Sequence, residues 1–231
     1  MENLNIIFED NHVIVVEKIV NIPSQGDKTG DEDMLSIIKK YIKEKYNKPG
    51  DVYLGLVHRL DRPVGGVMVF AKTSKSASRL SEQVRNKTMK KKYLVIADGK
   101  IEQAKGEWED YLIKNERTNI SKVVNKNIKN AKLAKLDYEI IKYDEIIDLS
   151  VVKVNLHTGR HHQIRVQFSS RGHSIYGDQK YGTRGKGKQI CLWEYELRFI
   201  HPITKQEMVF RLFPKKEGSW KILEGIDEKI V

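Results

Sequence analysis

The segment His58–Gly66 holds the side chains best suited to chemistry, because it places one carboxylate among two arginines and a histidine. A proline and two glycines bend this segment, and the apolar run Val67–Ala71 that follows it predicts a strand. A loop held by a strand keeps its side chains accessible and fixed in position, which is typical of catalytic loops. Asp61 is therefore the first candidate for a reacting carboxylate. The alternative is a surface ion pair of Asp61 with Arg59 or Arg62, since such pairs are common and weak.

Three later segments carry side chains that could assist such a carboxylate. Gly159–Arg165 contains two arginines and two histidines, and on a helix His161 and Arg165 would share one face. Lys91–Tyr93 places an aromatic ring beside cations at the start of a predicted strand, a combination that suits stacked bases and phosphates. Gly172–Gly182 is rich in glycine and polar residues, which predicts an exposed rim.

The elements that must position these residues include more strands than helices. Runs rich in β-branched residues predict strands at Ile6–Phe8, Val13–Val16, Val67–Ala71, Tyr93–Ala97, Lys135–Tyr143, Leu149–Leu156, Ile190–Phe199 and Met208–Phe213. Helical spacing predicts helices over Asp33–Tyr46, after a cap at Ser74, and roughly over Arg160–Ser169. The Lys- and Asn-rich stretch Asn115–Lys132 is predicted to be an exposed connection. Because strands and helices do not alternate strictly, we expect an α+β fold on a largely antiparallel sheet.

The size and charge of the chain limit the classes of partner. Its 231 residues are compatible with one domain over 1–231 that buries a sizeable core. Lys and Arg number 42 against 31 Asp and Glu, which gives a net charge of +11 spread along the sequence. A positively charged surface attracts polyanions, so nucleic acid is the leading partner class. The alternative is a charged surface that serves only solubility.

Cysteine usage and hydropathy indicate the compartment. Cys191 is the only cysteine, which rules out an intramolecular disulfide and disfavours a thiolate metal cluster. Its apolar neighbours predict a small core residue. The N-terminus lacks the apolar core of a secretory signal, and no segment approaches the roughly 20 apolar residues that span a bilayer. We therefore expect a soluble, cytoplasmic protein with no membrane partner.

Four motifs in a fixed order resemble those of the pseudouridine synthases of the RluA family. The motifs are His58–Asp61, Lys91–Tyr93, Gly159–Arg165 and Gly177–Gly182. The resemblance covers nearly the whole chain. It implies the pseudouridine synthase catalytic fold, which is α+β with a mixed, mainly antiparallel sheet flanked by helices and loops. It also implies an isomerase that converts uridine in RNA to its C5-glycoside without cofactor or metal. The substrate is left open between ribosomal and transfer RNA, and a monomer is expected.

The same resemblance implies roles for individual residues. Asp61 is the expected catalytic aspartate, Tyr93 the ring that stacks on the target base, and Arg165 the partner of the Asp61 carboxylate. Arg59 matches the arginine that enters the helix stack in place of the flipped nucleotide. The other residues expected to bind substrate are His58, Arg160, His162, Gln163 and Ile164.

These residue types fit the chemistry independently of the resemblance. Breaking and remaking a glycosidic bond requires an ionised carboxylate near the sugar, either as a nucleophile at C1′ or as a base at C2′. A cation beside Asp61 would keep the carboxyl deprotonated in a desolvated pocket. The flat face of Tyr93 could hold the detached uracil while it rotates. Unstacking the target base costs about a few kcal/mol, which Arg59 could partly offset.

Because the chain begins directly with the first strand pair, the resemblance implies a stand-alone catalytic domain without the small basic S4 domain that many relatives carry in front. RNA affinity must then come from the surface of the catalytic domain. The candidate RNA-binding surfaces are Lys90–Lys92, the helix face with Lys75, Arg79 and Arg85, and the loop Arg184–Lys188.

The chain departs from the family pattern at three places. Val64–Gly66 stands where many members have Thr-Ser-Gly, Gln167 stands where a histidine is frequent, and Ile19 replaces the proline usual after Lys18.

The sequence leaves two other functions as alternatives. A non-catalytic RNA-binding protein would not need the intact catalytic set, and a metal-dependent RNA-processing hydrolase would need a carboxylate–histidine spacing that the sequence lacks.

Overall fold

The computed structural model describes residues 4–27, 29–185 and 188–228, and within them it contains eleven strands and three α-helices. The strands are β1 (Ile6–Glu9), β2 (Val13–Lys18), β3 (Gly55–Leu56), β4 (Gly65–Ala71), β5 (Lys90–Asp98), β6 (Lys105–Asn115), β7 (Ile120–Val124), β8 (Lys132–Asp144), β9 (Leu149–Leu156), β10 (Leu192–Ile200) and β11 (Glu207–Arg211). The helices are α1 (Met34–Lys45), α2 (Ser74–Arg85) and α3 (Gln163–Ser169), and a 3₁₀-helix spans Gly218–Leu223.

The chain divides into two compact units. The first unit comprises Met1–Lys90 and Glu194–Phe213, and the second comprises Lys91–Trp193 and Pro214–Val231. A single domain over 1–231 stays a prediction.

The first unit is built on strands β1, β2, β4, β10 and β11 in that order, with β3 added to β4. β1 pairs with β2, β2 with β4, and β10 with β11, each pair antiparallel, as the predicted hairpin and the final strand pair require. All seven residues of β4 are buried, because apolar side chains cover both of its faces. Val15 and Val69 lie opposite each other in this core, where burial contributes about 1.5–3 kcal/mol per side chain.

The two helices of the first unit form where helical spacing predicts them. Asp33 caps α1 by accepting a hydrogen bond from the Ser36 backbone N–H at 3.2 Å, and Ile38 and Ile42 are buried one turn apart. The cap of α2 is Thr73 rather than the predicted Ser74, because the Thr73 hydroxyl accepts the hydrogen bond from the Ser76 N–H at 3.2 Å. The prediction was therefore wrong by one residue at this cap.

The second unit contains the antiparallel strand order β5-β9-β8-β6-β7. Tyr93, Val154 and Tyr138 lie directly opposite one another on three adjacent strands and so share one face. On this face the Trp108 ring packs against Tyr138 at 4.5 Å and against Phe168 of α3 at 4.8 Å between centroids. The helix therefore covers the sheet face that carries Tyr93.

Two local predictions were wrong in this unit. The predicted connection Asn115–Lys132 contains β7, which pairs with the unpredicted strand β6. Most positions on these strands carry polar side chains, so the alternation of buried residues such as Leu112 and Ser121 is weak in the sequence. Helix α3 begins at Gln163 rather than near Arg160, because His162 adopts the left-handed conformation with φ 55°.

Helices and strands are thus combined as an α+β fold with a mainly antiparallel sheet, which confirms the predicted class. Within the described residues, no helix is long and apolar enough to cross a membrane.

Candidate active site

Asp61 lies half-buried in the loop between β3 and β4. The loop closes through a hydrogen bond from the Val64 N–H to the Asp61 carbonyl oxygen at 2.9 Å. Such a turn projects the Asp61 side chain from a short, bonded backbone rather than from a flexible one. The prediction of a strand-held loop around this carboxylate is therefore confirmed.

A buried lysine holds the backbone of this loop. Lys18 ends β2, is 0% exposed, and places its Nζ 2.6 Å from the Arg62 carbonyl oxygen, 2.7 Å from that of Val64 and 3.2 Å from that of Asp61. An ammonium has three donors, so these three carbonyls match its capacity. Burial lowers the pKa of Lys18 to about 7, with Asp61 opposing this shift and Arg62 adding to it. We refer to Lys18 and its three carbonyls as the Lys18 clamp.

The connection between β2 and α1 supports the same loop from a second side. The Ser24 hydroxyl donates to the Leu60 carbonyl oxygen at 2.8 Å and accepts from the Leu60 N–H at 3.2 Å. The Asn21 N–H donates to the Arg62 carbonyl oxygen at 2.9 Å. Every residue from Leu60 to Arg62 thus has a backbone hydrogen bond to this connection or to Lys18.

The two arginines of the loop have different surroundings. Arg62 binds Asp31 through Nη2 at 2.5 Å and Thr29 through Nη1 at 3.2 Å, so its guanidinium is directed at the β2–α1 connection. Hydrogen bonds from Thr29 and then Arg62 lower the pKa of Asp31. The alternative pairing of Asp61 with Arg62 is therefore wrong, because Arg62 pairs with Asp31. The pairing of Asp61 with Arg59, the other form of that alternative, stays a prediction. Arg59 is exposed.

His58 and Gly66 fit the loop to the neighbouring strands. His58 is buried, and its Nε2 accepts a hydrogen bond from the Val69 N–H at 3.2 Å. Its substrate-binding role stays a prediction. Gly66 has φ +135°, and a Cβ there would lie 2.3 Å from the Glu194 carbonyl oxygen. Only glycine fits this close approach.

Tyr93 lies near the start of β5 in the second unit. It is 5% exposed and stands opposite Val154 of β9. The adjacent strands fix its ring on the face that α3 covers. Its role as the stacking ring stays a prediction.

Arg165 forms a two-point ion pair with Asp178. Its Nε lies 2.8 Å from Oδ2 and its Nη2 lies 2.7 Å from Oδ1, and the two side chains are 4% and 0% exposed. Burial alone would raise the pKa of Asp178, but the hydrogen bond and charge of Arg165 outweigh it and lower the pKa. The N–H groups of Lys180 and Tyr181 also donate to Oδ1. The pairing of Arg165 with Asp61 stays a prediction, and the pairing with Asp178 was not predicted from the sequence.

Tyr181 connects this ion pair to the surrounding elements. Its ring lies under the Arg165 guanidinium at 5.2 Å, in cation–π geometry. Its hydroxyl accepts from the Ser121 N–H and lies 2.8 Å from Nδ1 of His162. His161 stacks on His162 at 3.7 Å and bonds the Ser121 hydroxyl at 2.8 Å. Because α3 starts after His162, the expectation that His161 and Arg165 share a helix face was wrong.

The remaining predicted residues of this segment are occupied within the protein. Gln163 Oε1 accepts from the Thr158 hydroxyl at 2.7 Å and from the Arg160 N–H at 3.1 Å. Its Nε2 donates to the Lys135 carbonyl oxygen at 3.2 Å and to Gln167 at 3.0 Å. Arg160 Nε donates to the Leu133 carbonyl oxygen at 2.8 Å, and Ile164 is buried. The contacts shape the start of α3, and substrate binding by Arg160, His162, Gln163 and Ile164 stays a prediction.

Several positioning residues could not be recognised from the sequence. Lys18 was noted only as the residue before Ile19, and Ser24 carried no signal. The segment Gly172–Gly182 was predicted to be an exposed rim, which was wrong for Asp178 because its side chain is 0% exposed. A signal was present, since Asp178 belongs to one of the four motifs. Among the described residues, no group of three or more His, Cys, Asp or Glu could hold a metal ion.

Comparisons with known proteins identify the family. A family model described as RNA pseudouridylate synthase matches residues 12–170. A protein of Aquifex aeolicus named uncharacterized RNA pseudouridine synthase is 32% identical over 222 residues, covering 90% of this chain and 69% of the relative. Ribosomal large subunit pseudouridine synthase C of Buchnera aphidicola is 31% identical, covering 88% and 65%. Ribosomal large subunit pseudouridine synthase D of Zymomonas mobilis is 30% identical, covering 90% and 68%.

The fold agrees with this match. The solved structure titled Human RNA Pseudouridylate Synthase Domain Containing 4 superposes with a TM-score of 0.77 at 20% identity, covering 91% of this chain and 89% of that one. The chain spans about two thirds of the length of the three curated relatives, at 69%, 65% and 68%. As its four motifs predict, the chain belongs to the RNA pseudouridylate synthase family, the isomerases that convert uridine in RNA to pseudouridine.

Proposed function

We propose that this protein isomerises a uridine of ribosomal RNA to pseudouridine, with Asp61 as the reacting carboxylate. The Lys18 clamp carries the proposal, because it fixes the backbone around Asp61 while the side chain stays half-exposed. A carboxylate held in this way can meet a sugar in a defined geometry. The alternative of a surface ion pair would not require a buried lysine under the loop.

The reaction exchanges one bond for another. The N1–C1′ bond of uridine breaks, the C5–C1′ bond forms, C5 loses its proton, and N1 gains one, so that no co-reactant is consumed. In the proposal Asp61 acts either as a nucleophile at C1′ or as a base at C2′. Tyr93 stacks on the base, Arg165 keeps Asp61 ionised, and Arg59 takes the place of the flipped nucleotide.

The choice of ribosomal over transfer RNA rests on the names of two relatives, both ribosomal large subunit pseudouridine synthases. A monomer in the cytoplasm remains part of the proposal, and the single free cysteine is compatible with a reducing compartment.

The deciding experiment is the substitution Asp61→Asn. We expect the variant to bind RNA as the native protein does and to form no pseudouridine. The matched control is Asp51→Asn, since Asp51 is an exposed aspartate ten positions earlier. Carbodiimide mapping of ribosomal and transfer RNA, from cells with and without the gene, identifies the modified uridine. Equal product from Asp61→Asn and native protein would refute the assignment. Binding without product by the native protein would instead favour a non-catalytic RNA-binding protein.

A further inference from the structure

The segment 114–132 carries a large share of the net positive charge of the chain. It includes the β6–β7 turn, β7 and the β7–β8 connection, and we call it the basic edge. Glu116 is its only acidic residue. Its basic residues are Lys114, Arg117, Lys122, Lys126, Lys129 and Lys132.

Most of these cations face solvent without a carboxylate partner. Lys114 is paired with Glu116 at 2.5 Å. The other five are exposed, and in the part of the chain that the structure describes none of them forms an ion pair. The lysines on the outward face of the neighbouring strands differ, because Lys153 lies 3.0 Å and Lys105 3.5 Å from Glu139. Among the strands of the second unit, the cations without a carboxylate partner therefore lie mainly at the basic edge.

The basic edge is an ordered structure rather than a tail. The Asn115 side chain accepts hydrogen bonds from the Arg117 and Thr118 N–H groups at 3.0 and 3.1 Å, which closes the β6–β7 turn. In the next connection the Asn125 side chain accepts from the Asn127 N–H at 3.0 Å. These asparagines shape both turns, so the backbone that carries the cations is ordered before a ligand arrives.

Contacts within the second unit attach the basic edge to α3. Ser121 of β7 bonds the His161 ring through its hydroxyl, and its N–H donates to the Tyr181 hydroxyl at 2.8 Å. Lys180 Nζ donates to the Asn119 carbonyl oxygen at 3.3 Å. A ligand bound along β7 is thus held at a fixed distance from the helix that carries Arg165.

We infer that the basic edge binds the phosphate backbone of the substrate RNA outside the target nucleotide. This inference rests on the proposed function for the identity of the polyanion. Lysine, arginine and asparagine without an aromatic platform suit contacts to phosphate and sugar, which position RNA without reading its sequence. One predicted RNA surface has less capacity for this role, because the Arg184 guanidinium bonds the Asp148 carbonyl oxygen at 2.9 Å and that of Ile147 at 2.8 Å. The adjoining residues 186 and 187 lie outside the described chain.

The test neutralises four cations of the basic edge and compares them with four exposed lysines elsewhere. The edge variant carries Lys122→Gln, Lys126→Gln, Lys129→Gln and Lys132→Gln. The control carries Lys39→Gln, Lys40→Gln, Lys43→Gln and Lys48→Gln, on and just after α1, with the same change of net charge. Circular dichroism melts verify that both variants fold.

RNA affinity is measured by fluorescence anisotropy at several salt concentrations. For the edge variant we expect the slope of log affinity against log salt to become shallower by about three, since each lost phosphate contact removes about 0.7–0.9. We also expect the KM for the RNA to rise by about tenfold, kcat at saturating RNA to stay unchanged, and Lys→Arg substitution at the same four positions to retain native values. The control should keep its slope.

Equal slopes for the edge variant and the control would overturn the inference, because the effect would then reflect net charge alone. The inference would also be overturned if the edge variant bound RNA with native affinity. This holds even if the variant lost affinity for vesicles of phosphatidylglycerol. The anisotropy assay measures RNA binding independently of product formation. Failure of the proposed function would appear separately, because the native protein would then form no pseudouridine.

Discussion

Arg165 and Asp178 meet through two parallel hydrogen bonds of 2.8 and 2.7 Å in an environment that excludes water almost completely. A fork-to-fork pair of this kind fixes the plane of the guanidinium as well as its position. The Tyr181 ring at 5.2 Å covers one face of that plane. The direction of the guanidinium is therefore set by the protein before any substrate binds.

Substitution of Asp178 by Asn should be strongly destabilising. It leaves a buried guanidinium without its counter-charge, and removing one partner of a buried pair costs about 3–5 kcal/mol. We expect the midpoint of urea unfolding to fall accordingly and kcat to fall with it. Glu116→Gln is the control, because its carboxylate is 80% exposed in the pair with Lys114 and should cost at most about 1 kcal/mol. Similar losses for the two variants would contradict the account of the buried pair.

Substitution of Lys18 by Met should impair catalysis more than folding. The methionine has a similar length but donates no hydrogen bonds, so the carbonyl oxygens of Asp61, Arg62 and Val64 lose their shared donor. We expect kcat to fall by about tenfold or more, since small displacements of catalytic groups have effects of that order. Lys40→Met, at an exposed position of α1, is the control. Native turnover by the Lys18 variant would show that the clamp is dispensable.

The same lysine predicts a dependence of stability on pH. Burial lowers the pKa of Lys18 from 10.5 to about 7 in the folded protein. Between these values the unfolded chain binds the extra proton, so the folded state gains stability as the pH rises from about 7 towards 10.5, by at most about 1.4 kcal/mol per pH unit. Urea unfolding of native protein and Lys18→Met at pH 7, 8 and 9 measures the effect. The unfolding free energy of the native protein should rise relative to that of the variant at each pH step. A difference that does not change with pH would contradict the lowered pKa.

Glu9 should make the protein sensitive to strong acid. Burial raises the pKa of this carboxyl, but hydrogen bonds outweigh it and lower the pKa from 4.5 to about 2. The donors are Lys45, Lys72, Tyr41 and Tyr46. Glu9 therefore stabilises the fold fully above pH 4.5, and this contribution is lost as the pH falls through about 2. Glu9→Gln should be less stable than native protein by about 2 kcal/mol at pH 7 and should approach it near pH 2. The same difference in unfolding free energy between native protein and Glu9→Gln at both pH values would refute this.

Cys191 should be inert in the folded protein. It is 1% exposed, and burial raises the pKa of its thiol to about 12, so little of the reactive thiolate is present at pH 8. We expect Ellman's reagent to modify the native protein about a hundredfold more slowly than the protein unfolded in guanidinium. Equal rates would show that the segment around Cys191, just before β10, opens readily.

The sequence predicts the elements whose signals are local. Ile38 and Ile42 recur at helical spacing behind Asp33, and these residues alone define α1. The strand at Val67–Ala71 is an unbroken apolar run, and the structure extends it by only two glycines as β4. The loop around Asp61 could be located for the same reason, because its charged residues are contiguous.

Contacts between distant residues could not be predicted in this way. Lys18 lies 43 positions before Asp61, and a lone lysine at a strand end gives no sign that it will be buried. Asp178 follows Arg165 by 13 positions, a separation at which no local spacing rule predicts an ion pair. His162 shortens α3 because its backbone is left-handed, and a histidine in the sequence does not indicate that conformation.

Gly66 has a consequence for how the loop can vary. Its contact with the Glu194 backbone fixes one end of the segment, and the Lys18 clamp fixes the other at Asp61. Both attachments act on the main chain, so the side chains at Val64 and Gly65 can differ from the Thr-Ser of relatives without moving Asp61. The number of residues between Asp61 and Gly66 cannot change, because both ends of the segment are fixed. The loop should therefore accept substitutions across related sequences and reject every insertion or deletion.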